Sequence, residues 1–223
     1  MLHFIIYVII IVMLDLLLVT IIGALSGVLI SLCVFKLEKK KGIPYLGITE
    51  VATALIFLFL YVSYDSLIDV LFLWAISSLL ILIFVYDLKH FIIPNKAIYP
   101  AIIITAFYLA LTQDLSLIIS HLLSAALAFL FFFTIYYATK ERGMGFGDVR
   151  YAFFMGLFLG HPQILVGLFF SFLLGAIIGL GLIFAGKKGR KSHLPFAPFL
   201  IIGTFIAYFY TSEIIHFYLT LYV

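Results

Sequence analysis

The sequence predicts an all-α, polytopic transmembrane bundle of about eight spans. Three observations predict it. Hydrophobic residues make up 66% of the 223 residues and charged ones 10%, against roughly 25% charged in soluble domains. Mean hydropathy is +1.31, and several apolar runs approach the ~20 residues that a helix needs to cross the hydrocarbon core. All 13 Lys and Arg residues fall in four clusters, at 36–41, 89–96, 140–150 and 187–191.

The clusters fix the expected topology. Enough apolar sequence for two crossings separates each from the next, with turn-like breaks at Tyr64-Asp65-Ser66, Gln113-Asp114 and Gly160-His161-Pro162. These breaks hold Asp65 and Asp114, with Asp69 close by, but neither Lys nor Arg. Basic residues stay on the cytoplasmic side of a membrane, so every cluster is expected there, and both termini outside. The net charge of +3 follows from this bias. The partner it implies is the lipid bilayer, with no nucleic-acid footprint. Cys33 is the single cysteine, which excludes an internal disulfide and a CxxC zinc site.

The expected spans are about 13–35, 47–63, 67–86, 97–112, 115–138, 148–160, 163–186 and 196–219. Residues 1–35 exceed one crossing, since ~35 helical residues reach ~52 Å against a ~30 Å core. Either that helix protrudes or residues 1–14 lie along the interface. Neither a basic n-region nor a small-residue cleavage site marks a signal peptide. Glu50 opens the second span, where a carboxylate either answers the helix dipole or lines a site. Pro94-Asn95 opens the fourth span with helix-start chemistry. The prolines Pro195 and Pro198 make a stiff entry to the last one. No repeat or composition shift divides the chain, so residues 1–223 are read as one integral-membrane domain.

Two places break the apolar pattern with carboxylates: Tyr86-Asp87-Leu88-Lys89 and Gly143-Met144-Gly145-Phe146-Gly147-Asp148-Val149-Arg150. A carboxylate beside hydrocarbon is expensive and usually functional. The span opened by Asp148 is short, roughly 20 Å of helix against ~30 Å of hydrocarbon. Its glycine loop must then dip below the cytoplasmic surface, where irregular backbone needs protein or a wet cavity around it. Asp87 and Asp148 on the ends of different helices read as an aspartyl dyad sharing one proton. One carboxylate takes a proton from water while the other, protonated, hydrogen-bonds the carbonyl under attack. Helix dipoles favour Asp148, at a helix start, as the ionised base and Asp87, at a helix end, as its protonated partner. Paired membrane acids also occur in transporters.

The stretch Asp87-Leu88-Lys89-His90-Phe91-Ile92-Ile93-Pro94-Asn95, followed by Gly145-Phe146-Gly147-Asp148-Val149-Arg150, resembles the paired signature of the type IV prepilin peptidases, which are GxGD membrane aspartic proteases. Leu194-Pro195-Phe196-Ala197-Pro198-Phe199-Leu200 is similar to a proline motif of that family, with Ala197 where glycine is usual. Ile48-Thr49-Glu50-Val51-Ala52-Thr53-Ala54 resembles the stretch with its characteristic glutamate. The resemblance implies a catalytic pair of Asp87 and Asp148 and an active-site loop of Gly145, Phe146 and Gly147. It makes Glu50, Lys89, Pro94, Asn95, Pro195 and Pro198 candidates for lining the site. It implies removal of the short basic leader from type IV prepilin, pseudopilin or preflagellin-like precursors at the cytoplasmic face of the inner membrane. Many bacterial members also N-methylate the product with S-adenosylmethionine, and those carry two CxxC pairs in the first cytoplasmic loop. Here Lys36–Ile48 has no cysteine, so no metal is expected and methylation is in doubt. The resemblance therefore implies no cofactor.

Two rival readings stand beside this one. Signal-peptide-peptidase-like enzymes also pair Tyr-Asp with GxGD, but on consecutive helices, whereas two spans separate Asp87 from Asp148 here. A proton-coupled transporter would favour acids near the midplane and matching halves, and neither is found in this sequence.

Overall fold

A computed structural model describes residues 2–38, 47–140, 143–184 and 194–220. Lys39–Lys41, Arg142, His193 and the basic cluster at 187–191 lie outside the described residues, as does most of the first basic loop. Among the described residues the chain is all-helical: α1 (Leu2–Glu38), α2 (Ile48–Ser63), α3 (Leu67–His90), α4 (Asn95–Thr112), α5 (Leu115–Ala138), α6 (Phe146–Leu159), α7 (Gln163–Phe184) and α8 (Ala197–Thr220). Six of them, α1, α3, α4, α5, α7 and α8, are long and apolar enough to cross a membrane. The helix α2, of 16 residues, and α6, of 14, are shorter. With the family assignment below, this makes the chain an integral membrane protein.

Two boundaries differ from the expected ones. The first helix is continuous from Leu2, so residues 2–14 extend it instead of forming a separate segment. The third runs to His90, one turn beyond the expected end at 86. Asp87, Lys89 and His90 are polar, but a helix leaving an apolar layer continues readily into polar residues.

The chain forms two compact units, residues 1–82 and 83–223. In the first, α1 packs along α2 through small residues spaced by four. A Cβ on Gly23 would lie 2.6 Å from Ala54 Cα, and one on Gly27 would lie 2.5 Å from Glu50 Cα. One turn further, the Ser31 and Thr49 hydroxyls share a hydrogen bond of 2.6 Å. Small residues let membrane helices approach closely enough for dispersion contacts to hold them. Trp74 caps this unit's packing, its ring stacked 4.6 Å from Phe57 and its Nε1 donating to the Phe57 carbonyl at 3.1 Å.

In the second unit α6 is the hub, in contact with α4, α5, α7 and α8. Val149, Tyr151, Ala152 and the whole run Phe154–Leu159 are buried. A helix apolar on all sides belongs in the centre of a bundle. Close approach again rests on small residues. A Cβ on Gly156 would fall 2.5 Å from the Ser124 carbonyl oxygen and 2.6 Å from Ala125 Cα, both on α5. Gly203 of α8 meets Ser171 and Gly167 of α7 in the same way. The Tyr151 hydroxyl, fully buried, pairs with Thr204 Oγ1 at 3.1 Å and so ties α6 to α8. Gly156→Ala is expected to destabilise the protein by about 1–3 kcal/mol, the usual cost of overpacking, because the obstructing atoms are backbone. Thermal unfolding in detergent measures it.

Candidate active site

Each part of the site begins with a local rule of chain geometry. On α3, Ile83 and Asp87 lie one turn apart on the same face, and both are buried, Asp87 with 4% of its surface exposed. The helix ends through a reversal at Phe91, whose N–H donates to the Asp87 carbonyl at 2.9 Å. Phe91 has φ 56°, a left-handed conformation that costs an L-residue roughly 1–2 kcal/mol. The Pro94 carbonyl then accepts from the N–H groups of Ala97 and Ile98, at 3.0 and 3.2 Å, and starts α4.

At α6 the backbone and a carboxylate close the helix start between them. The Gly145 carbonyl accepts from the Asp148 N–H at 3.1 Å, and the Gly145 N–H donates to Asp148 Oδ2 at 3.3 Å. An acidic side chain at the third helical position answers the unsatisfied donors of a first turn. Asp148 therefore points back over the glycine loop. At α8 the Phe196 carbonyl accepts from Phe199 and Leu200, at 3.0 and 3.2 Å. The Ala197 N–H hydrogen-bonds the Asp87 carboxyl.

These three helix ends, with the end of α5 and part of α7, enclose a cavity of about 1000 Å³. Both aspartates line it, and Asp148 lies within electrostatic reach of Asp87. The loop contributes Gly143 to Gly147; α7 contributes Phe172, Gly175 and Ala176; the entry to α8 contributes Leu194, Pro195, Phe196 and Phe199. Phe172 and Phe196 stack obliquely at 5.4 Å, with Phe132 behind them at 5.9 and 6.4 Å. The ionisable groups among the lining residues are Asp87, Asp148 and Arg150. An apolar-walled cleft of this size with a few converging polar groups is what ligand sites look like. Among the described residues Asp87 Oδ2, a buried atom, has no hydrogen-bond partner, and buried polar atoms are normally paired.

The sequence-predicted residues divide clearly. Asp87, Asp148, Gly145, Phe146, Gly147 and Pro195 share the cavity wall. Pro94, Asn95, Lys89 and Pro198 are not part of that lining. Pro94 is the cap of α4, Pro198 is buried in the first turn of α8, and Lys89 is exposed on the last turn of α3. Asn95 accepts a hydrogen bond from Arg150. Glu50 belongs to the first unit, where its carboxylate accepts from the Gly47 N–H and from the Thr49 hydroxyl at 3.0 Å, a helix-capping arrangement. Phe172, Gly175 and Ala176 carried no expectation from sequence. Their one signal was a glycine inside an apolar run.

Residues 74–180 match the type IV leader peptidase family. The chain is 35% identical over 144 residues to the prepilin leader peptidase/N-methyltransferase of Bacillus subtilis, covering 64% of this chain and 56% of that protein. It is 32% identical over 176 residues to the protein of the same name from Legionella pneumophila, covering 76% and 60%. Leader peptidase HopD of Escherichia coli is 28% identical over 148 residues, 64% of this chain and 93% of that one. The chain therefore spans just over half the length of the first two relatives. No solved structure gives a significant match. The matched region includes both aspartates and every helix between them, and by it this chain belongs to the type IV prepilin (leader) peptidase family.

Proposed function

We propose that the chain is a membrane-embedded aspartic endopeptidase that removes the short basic leader from type IV prepilin-like precursors at the cytoplasmic face of the inner membrane. The observation that carries this is the meeting of Asp87 and Asp148, 61 positions apart in the sequence, in one cavity where Asp87 Oδ2 is buried and, among the described residues, unpartnered. Two neighbouring carboxyl groups cannot both ionise cheaply, so they hold one proton between them. The ionised member draws a proton from water as the water oxygen bonds to the scissile carbonyl carbon. The protonated member donates to the carbonyl oxygen, and the C–N bond then breaks as the leaving nitrogen takes up a proton. The apolar wall of Phe172, Phe196 and Phe199 suits the apolar helix that follows the leader. The names of the relatives agree with this substrate class.

A four-thiolate zinc site needs four cysteines, and the chain has one. The donor set therefore does not fit the zinc loop of methylating members, and the proposal is for leader removal alone. The signal-peptide-peptidase-like reading is disfavoured because α4 and α5 intervene between the helices that carry the aspartates.

The test is incubation of the purified full chain in lipid nanodiscs with a prepilin-like precursor, followed by mass spectrometry. Loss of the leader mass is expected, without the added mass of a methyl group. An intact precursor under all conditions would sink the proposal. For orientation, cysteines placed at Lys89 and Lys140 are expected to label from the cytoplasm, and cysteines at Asp65 and Asp114 from outside. Labelling of Lys89 and Lys140 from opposite faces would contradict it.

A further inference from the structure

Asn95 and Arg150 are 55 residues apart in the chain, yet one hydrogen bond, from Arg150 Nη1 to Asn95 Oδ1, joins them. The Arg150 Nε also donates to the Phe146 carbonyl at 3.3 Å. Its guanidinium lies 5.1 Å from the Phe146 ring centre and 6.0 Å from that of Tyr99. Tyr99 stands one turn beyond Asn95 on α4, and Phe146 is the first residue of α6. The planar cation is thus held between the first turns of two helices. The segments it joins are those that set the dyad. Asp148 precedes Arg150 by two residues, and the turn leading from Asp87 ends at Asn95. A Cβ on Gly147 would sit 3.1 Å from Ile93 Cβ, so these segments already touch beside the cavity.

We propose that Arg150, acting through Asn95, is the positioning residue of the aspartate pair. It fixes the start of α6 against the α3–α4 turn and thereby sets the separation of the two carboxyl groups. The kinetic part of this inference rests on the aspartic-peptidase reading; the mechanical part does not. The task suits arginine and not lysine. A guanidinium offers five donors in a rigid fork and stacks on aromatic rings, whereas an ammonium is a compact point charge that cannot bridge both acceptors in one plane.

Three variants test the clamp: Asn95→Ala, Arg150→Lys and the two combined. Neither single substitution changes the net charge, so a purely electrostatic role would leave both near wild type and overturn the proposal. On the prepilin-like precursor, each is expected to lower kcat by about 10²-fold, the scale of a 1 Å misplacement, with KM little changed. The double variant should lose no more than the worse single one, as partners in one interaction do. The acid and alkaline limbs of the pH–rate profile should draw together, because carboxyls that move apart couple less strongly. A purely structural defect would not move those limbs.

A second measurement needs no activity. Thermal unfolding of the purified chain in detergent reads the clamp directly: Asn95→Ala and Arg150→Lys are each expected to lower Tm, and the double variant to lose no more than the worse single one. Unchanged or additive shifts in Tm would overturn the clamp even in a chain that cleaves its precursor. Non-additive losses in a chain that cleaves nothing would remove the peptidase reading and leave the clamp standing.

Discussion

Asp87→Asn and Asp148→Asn are each expected to abolish cleavage of a prepilin-like precursor while leaving the protein folded in the membrane. Amide and carboxyl have the same shape. The new amide oxygen at position 87 would still accept from the Ala197 N–H, and the one at position 148 from the Gly145 N–H. The proton is what cannot be replaced. An amide neither takes a proton from water nor shares one with its neighbour, and general acid–base assistance contributes typically 10²–10⁴-fold. With both roles depending on the pair, a fall in kcat of at least about 10³-fold is expected for each variant. Thermal unfolding should show no loss of stability, and Asp87→Asn removes a costly buried ionisable group. Product mass spectra and melting curves on the same preparations check both points. Near wild-type turnover by either variant would remove the aspartic mechanism.

Gly147→Val is expected to have nearly as large an effect, and for a different reason. The first atom added at Gly147 would meet Ile93 Cβ at 3.1 Å, Cγ1 at 3.4 Å and the Ile93 backbone nitrogen at 3.5 Å. Those atoms sit at or beside the main chain and cannot swing away. A branched side chain must therefore push the start of α6, and Asp148 with it, off the α3–α4 turn. Gly145 is different. A Cβ there would meet Asp148 Oδ2 at 3.6 Å, an ordinary contact, and its φ of −78° is open to any residue. Gly145→Ala should retain most activity, while Gly147→Val should lose about 10²-fold or more in kcat. Initial rates on one precursor compare them directly. Equal losses at the two glycines would show that contact with substrate, and not room beside Ile93, explains the motif.

Much of this was readable in the chain, because membrane helices write their length in apolar residues. The fifth helix occupies Leu115–Ala138 as expected, and the short α6 was visible as the interval between Asp148 and Gly160. The end of α3 was not readable. Helices commonly stop at a left-handed glycine or asparagine, but here Phe91 takes that conformation with no signal in its side chain. The seam between α1 and α2 is written in the spacing of Gly23, Gly27 and Ser31, a pattern of size that charge placement does not touch. The cavity's far wall was hidden for a deeper reason. Phe172, Gly175 and Ala176 look like any lipid-facing run until α8 is packed beside them. Asn95 and Arg150 each belonged to a motif, but sequence alone could not show that the motifs touch. Their link is a tertiary contact, and no local rule encodes it.

The burial of α6 on every side has a consequence for how the protein opens. Amide hydrogen exchange follows local unfolding, which is rarest where a segment is enclosed. The amides from Tyr151 to Leu159 should therefore exchange last in the second unit. Those of Gly143 to Gly145, which border the cavity ahead of the helix, should exchange early. Asp148 then stands where the slowest-exchanging segment meets one of the fastest. A side chain anchored at that boundary keeps its place while the chain ahead of it opens and closes.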